Sequence, residues 1–196
     1  MEKEKILELF KSTGALQQGH FRLTSGLHSP EYFQCAKVLQ YPQYNEILCG
    51  DIFRHFHDWR VELVVAPAIG GIMVGQEVAR QLRSRGIFAE RENNQMALRR
   101  GFEVKKGERA LVCEDVVTTG GSVLEVVNLV KAQGGVIVGV ACIVDRSREP
   151  INFGAEFFPL LRMDVPVYKP EACPLCRDNV PIVKPGSRKD PGAANA

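Results

Sequence analysis

The run Leu111 to Ser122, LVCEDVVTTGGS, constrains this chain more than any other part of it. Leu111, Val112 and Cys113 predict a strand buried on both faces, and the apolar spacing from Val123 to Val130 predicts a helix. Between them lie two adjacent carboxylates, Glu114 and Asp115, and a turn rich in hydroxyls and glycine. The turn therefore opens a helix directly after a strand. The first N–H groups of a helix have no intrahelical acceptor and lie at the positive end of its dipole, so a phosphate placed there meets several donors at once. Gly120 and Gly121 let the backbone approach it, and Thr118, Thr119 and Ser122 add hydroxyl donors. Glu114 and Asp115 offer acceptors to a diol and charge to a divalent cation. Phosphate, diol and cation together point to a phosphoribosyl group.

Two other phosphate sites are excluded by residue type. A P-loop needs a lysine followed by Ser or Thr after its glycines, and a dinucleotide fold needs GxGxxG; the turn has neither. A glycine pair alone would describe an ordinary helix start, whereas the order strand, acidic pair, TTGGS and helix is far more specific. The chain has 196 residues and is 45% hydrophobic, which suits one globular domain with small appendages. A formal charge of +2 and a pI near 8.2 fall short of a nucleic-acid binder's basic excess. The amino-terminal MEKEKILELFKS is charged and periodic, an amphipathic helix and not a signal peptide, and no segment has the length of a membrane span. A cytoplasmic protein is expected, with no nucleic-acid or membrane partner. Among six cysteines, Cys35, Cys49, Cys113 and Cys142 stand singly in mostly apolar surroundings, as small buried hydrophobes do.

Strand and helix patterns alternate along the chain. A helix is expected over residues 2–11, then a turn-rich stretch with extended pieces at Phe21 to Thr24 and Tyr32 to Cys35. Further on come a helix over Tyr44 to His57, a strand over Glu62 to Ala66, a loop over Pro67 to Gly70 and a helix from Gly71 to about Arg85. Ile87 to Ala89 reads as a short strand, and Arg91 to Lys106 as a polar connection with a possible strand at its centre. After the motif strand and a helix reaching Ala132, Val136 to Val144 forms a strong strand and Phe157 to Leu161 an edge strand. Such alternation implies a parallel sheet flanked by helices, with ligands bound beyond the carboxyl ends of its strands. Residues 1–184 are expected to form one domain, in which residues 1–40 are an amino-terminal helix and loop subdomain and residues 165–184 a short carboxyl-terminal extension. Residues 185–196, rich in Pro, Gly and small side chains, are expected to be a flexible tail.

The strand, acidic pair and TTGGS turn resemble the phosphoribosyl pyrophosphate motif of the type I phosphoribosyltransferases. Four further segments make the chain, from about Gly14 to Lys184, similar to the orotate phosphoribosyltransferases of the thermophile-type branch. HFRLTSGLHSPEYF matches the family's amino-terminal substrate loop and sets Tyr32 and Phe33 at the aromatic pair that flanks orotate. PAIGG matches the pyrophosphate loop, which in the family can hold a non-proline cis peptide, here Ala68 to Ile69; Gly70 stands where many members have lysine. AERENNQMALRRGF falls at the mobile cover loop, with Arg91 at the position of an arginine at its base. Asn93, Asn94, Gln95 and Met96 replace the lysine and histidine of common bacterial members, and Arg99 and Arg100 are weak candidates to supply the charge. VACIVDRSRE delivers Asp145 and Arg146 at a strand end, where the family's arginine binds the base through a bidentate pair with the orotate carboxylate.

The resemblance implies a type I phosphoribosyltransferase-like α/β fold and a pentosyl transfer from phosphoribosyl pyrophosphate to orotate, which gives orotidine 5′-monophosphate. It implies Glu114, Asp115 and Arg91 as catalytic residues. Glu114, Asp115, Val116, Val117, Thr118, Thr119, Gly120, Gly121, Ser122, Ala68, Ile69 and Gly70 would hold the phosphoribosyl donor, and Thr118, Arg146, Tyr32 and Phe33 the orotate. Mg²⁺ would be bound through the substrate and through Asp115, and a homodimer is implied. The alternatives are a phosphoribosyltransferase for another base and a regulator that senses the donor without catalysis. Cys173 and Cys176, in CPLC, form a zinc half-site that lacks a nearby second pair, so two subunits sharing one ion is the arrangement the spacing allows.

Overall fold

The structure, a computed structural model, describes residues 1–23 and 25–185, so Thr24 and almost all of the expected tail lie outside the described residues. The elements in chain order are α1 (Lys3–Ser12), β1 (Leu16–Arg22), β2 (His28–Phe33), α2 (Ala36–Leu39), α3 (Pro42–Phe56), β3 (Leu63–Pro67) and α4 (Gly71–Leu82). They continue with β4 (Arg85–Glu92), β5 (Gln95–Leu98), β6 (Arg109–Val117), α5 (Gly121–Ala132), β7 (Val136–Asp145), β8 (Glu156–Arg162), α6 (Pro174–Arg177) and β9 (Ile182–Val183).

Six strands form one sheet in the order β5-β4-β3-β6-β7-β8, parallel except for β5. Residues two apart on a strand share a face, and the apolar side chains divide accordingly. Val64, Leu111, Cys113, Ala141 and Ile143 join a core with Leu48, Ile52 and Phe56 of α3 and Val74 and Val78 of α4. Leu63, Val65, Ala110, Val112, Val140 and Cys142 join a second core with Val123, Val126, Val127 and Val130 of α5. The sheet is thus covered on both faces, which is why its central strands read as unbroken apolar runs. Strand order reverses between β3 and β6. In open α/β sheets, this reversal leaves a crevice beyond the carboxyl ends of the two strands.

Three expectations are corrected. The helix expected to reach Arg85 stops at Leu82, because Arg83 adopts a left-handed conformation at φ 55° and Arg85 already pairs with Leu63. The strand expected at Ile87 to Ala89 is longer, running into the polar connection, whose possible central strand is β5, paired antiparallel with β4 in a hairpin. Its two-residue turn is Asn93–Asn94, both at positive φ, a conformation asparagine tolerates better than most residues. The turn-rich amino-terminal region is a β1–β2 hairpin, and its second strand ends at Phe33, not Cys35. This hairpin forms a separate sheet of order β2-β1-β9, so the extension after β8 returns to the beginning of the chain. Among the described residues, no helix is long and apolar enough to cross a membrane.

Candidate active site

The crevice is assembled from the two segments that leave β3 and β6. The Ala68–Ile69 peptide after β3 is cis, and Ile69 is 84% exposed. The loop runs against the acidic pair at the end of β6. A β-carbon added at Gly70 would sit 2.5 Å from a carboxylate oxygen of Asp115, and one at Gly71 would sit 2.8 Å from Glu114 Oε1. The space a larger residue would need at position 70 is therefore already filled by Asp115. This contact gives a physical reason for glycine at position 70.

Glu114 and Asp115 are adjacent but differently placed. Glu114 is buried, its Oε1 accepts the Asp115 N–H at 3.0 Å, and burial followed by the neighbouring Asp115 charge pushes its carboxyl well above the usual range. Asp115 is half-buried and faces a cavity, with its Oδ1 accepting the Val116 N–H at 2.8 Å. At the turn, Gly120 has φ 74°, and an added β-carbon would come within 2.9 Å of Ile151 Cδ1, so both backbone and space require glycine. No side chain caps α5, whose first N–H groups thus remain available to a ligand.

The cavity, about 920 Å³, runs from this turn to the amino-terminal hairpin. Asp115, Val116, Thr118 and Thr119 line one end, and Tyr32, Phe33 and Arg146 line the other. Phe33 also packs edge-on against Phe10, 5.9 Å between ring centroids, which holds its ring in place. The Arg146 guanidinium lies over that ring at 5.5 Å. Its Nε is buried without a hydrogen-bond partner, and among the described residues the guanidinium has no ion pair. Burial lowers its pKa. A cation with an unmet donor at a cavity wall suits an anion from outside the chain.

Arg146 is held in place by a neighbour that sequence reasoning named without assigning it a task. Asp145 is fully buried, its carboxylate accepts the Ser147 N–H and the Arg162 Nε–H, both at 2.8 Å, and the Arg146 N–H donates to Val117 O. An aspartate ending an otherwise apolar strand was the available signal. The structure keeps other expected residues off the cavity wall. Glu114, Val117, Gly120, Gly121 and Ser122 are not among the residues that line it, and Ala68, Ile69 and Gly70 form the loop that runs against Asp115. Arg91 instead makes a two-pronged pair with Glu125 of α5, at 2.9 and 3.1 Å, and donates to Asn94 O. Arg100 pairs with Glu90 and Arg99 with Glu92. These arginines are occupied within the β4–β5 hairpin and its helix, so none lines the cavity. Cys173 and Cys176 lie elsewhere, beside His20 and His28, two residues that sequence reasoning did not connect with them.

The phosphoribosyl transferase domain family matches residues 45–153. The orotate phosphoribosyltransferase of Caldanaerobacter subterraneus subsp. tengcongensis is 54% identical over 189 residues, covering 96% of this chain and 100% of that one. That of Chlorobaculum parvum is also 54% identical, over 97% of this chain and 98% of its own. The chain belongs to the orotate phosphoribosyltransferase family. The crystal structure of the family member from Aeropyrum pernix shares its fold, with a TM-score of 0.70 at 20% identity over 81% of this chain and 93% of that one. The α/β architecture expected of an orotate phosphoribosyltransferase is therefore present, and its reversal of strand order coincides with the acidic pair and the TTGGS turn.

Proposed function

We propose that this chain transfers the phosphoribosyl group from phosphoribosyl pyrophosphate to orotate, giving orotidine 5′-monophosphate and pyrophosphate in pyrimidine synthesis. The observation that carries the reading is Arg146, which lines the same cavity as the turn before α5 and whose buried Nε has no hydrogen-bond partner. Orotate carries a carboxylate that a planar guanidinium can grip through two hydrogen bonds, and the ring would then lie along Phe33 and Tyr32. The 5′-phosphate would rest on the N–H groups at the start of α5 with Thr118 and Thr119, and the diol on Asp115. Thr118 lines the same cavity as Arg146 and is a candidate to touch the base as well.

No covalent nucleophile is needed. As the bond from C1′ to pyrophosphate weakens, its electron pair leaves with pyrophosphate, the sugar gains oxocarbenium character, and a ring nitrogen of orotate adds from the opposite face, its proton passing to the departing pyrophosphate or to solvent. The protein positions the two substrates and sets negative charge near the cationic sugar. Asp115 fits a site for Mg²⁺, which binds through one or two carboxylates and substrate phosphates, whereas Glu114 is poorly suited because burial favours its neutral form. Bound with the donor, the ion would neutralise charge on the departing pyrophosphate. A homodimer belongs to the same reading. In it, Arg91, Arg99 and Arg100 act on substrate only by leaving their present carboxylate partners.

The test follows orotate absorbance with donor and Mg²⁺ present, with purine bases and metal-free mixtures as controls. Loss of orotate that needs both donor and metal is the expected result. A folded protein that binds the donor but consumes no base would instead favour a non-catalytic sensor.

A further inference from the structure

We propose that His20, His28, Cys173 and Cys176 form a zinc site within a single chain, which clasps the carboxyl-terminal extension to the hairpin that lines the cavity. The CPLC sequence supplies two thiols at the spacing of a zinc half-site, and the fold supplies the other half from 145 or more residues earlier. All four donor atoms lie within 4.8 Å of one another. His20 Nε2 is 3.6 Å from Cys173 Sγ and 3.7 Å from Cys176 Sγ, and His28 Nδ1 is 3.2 Å from Cys176 Sγ. A tetrahedral zinc with Zn–S of about 2.3 Å and Zn–N of about 2.0–2.1 Å sets sulfur about 3.5 Å from nitrogen. The two nitrogens, 2.9 Å apart, need to part by only a few tenths of an ångström to reach the separation of about 3.3 Å that this geometry implies.

The protonation of His20 strengthens the case. Its Nδ1–H donates to Val180 O at 2.8 Å, which leaves Nε2 with one lone pair directed at the cluster. Three groups converge on that single acceptor: the His28 nitrogen and both thiols. His28 Nδ1 also lies 3.2 Å from Cys176 Sγ, so two imidazole nitrogens only 2.9 Å apart face the same pair of thiols, and a cation held by all four groups satisfies each of them. The contact between Nδ1 and a carbonyl is also the usual means of orienting a metal-bound histidine. Val180 is itself fixed, since its N–H donates to Leu175 O in the segment that carries the two cysteines. His20, His28 and Cys173 are buried and Cys176 is half-buried. Four protein donors leave no open position, so the site is structural, and two thiolates with two imidazoles favour zinc over magnesium or calcium.

A register shift in β1 between Gln18 and Phe21 lets the consecutive residues His20 and Phe21 both be buried, and so aims His20 at His28. The extension meets the same hairpin elsewhere as well: β9 pairs with β1 at two positions, Tyr168 bridges His28, the Ser29 hydroxyl donates to Pro166 O and Val165 joins the core. The same hairpin carries Tyr32 and Phe33 to the cavity. A metal here would thus position the base-binding wall from outside the site.

The full chain, purified without a metal-binding tag and under reducing conditions, is expected to contain about one zinc per chain by elemental analysis. About half an equivalent would replace this proposal with a site shared by two chains, and less than about a tenth that added Zn²⁺ does not raise would end it. Two thiols lost to a disulfide, with no zinc, would also overturn it. His20→Ala should lose the metal, whereas retention there would point to a site built from cysteines alone. If that variant fails to fold, the wild-type chain loaded with Co²⁺ still decides. Intense tetrahedral bands with thiolate charge transfer are expected, and weak octahedral bands would refute the assignment. Metal content is read without reference to turnover, so this result stands whether or not orotate is the substrate.

Discussion

The two ends of the cavity are built in different ways. The phosphoribosyl end rests on β3 and β6, inner strands of the larger sheet, and much of its chemistry is backbone: the start of α5, the loop after β3 and three glycines, Gly70, Gly71 and Gly120, without room for a β-carbon. The base end is made of side chains, Tyr32, Phe33 and Arg146, contributed by a small second sheet and by the end of β7. A backbone site on a buried sheet tolerates little adjustment. A side-chain site on a separate hairpin can change its ligand by changing few residues, so the first end is suited to the constant part of the reaction and the second to specificity.

Substitutions at the two ends should separate in kinetics. The largest effect is expected for Asp115→Asn, which keeps the oxygen that accepts the Val116 N–H but removes the charge facing the cavity. Turnover should fall by about 100-fold, as for the loss of an electrostatic group in a water-excluded site, with little change in melting temperature. Unchanged turnover would take Asp115 out of the chemistry. Arg146→Ala should do the reverse. Its orotate KM is expected to rise by about 30-fold, the lower bound for truncating a buried charged hydrogen-bonding partner, while donor KM stays nearly constant. A change confined to the donor would erase the division between the two ends.

The same division explains how much could be read from the sequence. The phosphate end is contiguous: strand, carboxylates, turn and helix start fall within residues 111–122, and each step has a local physical cause. The base end was visible only through resemblance, because Tyr32 and Arg146 meet by tertiary folding. The segment around β5 was expected from its residues to be a polar connection with a possible strand, and from resemblance to fall at the mobile cover loop. Yet Arg91, Arg99 and Arg100 each meet a glutamate, and Asn93–Asn94 closes a tight turn, so its polarity builds an ordered edge. CPLC was read as half of a site because the histidines beside it belong to β1 and β2, at the far end of the sequence. No local pattern announces that a two-residue strand, β9, will bring them together.

The smallest expected effect lies within the phosphate end and tests whether its two carboxylates do the same work. Glu114 has a folded-state pKa raised by burial and then by the charge of Asp115, against about 4.3 for an unperturbed glutamate. A raised pKa means that the folded protein binds this proton more tightly than the unfolded chain does. Its stabilising contribution is therefore complete below pH ~4.3 and declines as pH rises through the folded-state value. Glu114→Gln is neutral at every pH, keeps an oxygen for the Asp115 N–H and removes that dependence. Without substrates, variant and wild type should melt at nearly the same temperature at pH 4, and the variant should gain as pH rises, by about 2–4 °C for each kcal/mol in a domain of this size. Melting curves that shift in parallel from pH 4 to about pH 9 would show that burial does not hold Glu114 neutral in the fold. If the difference opens as expected, Glu114 serves as a neutral brace beneath the pyrophosphate loop, and Asp115 alone presents the charge that the reaction needs.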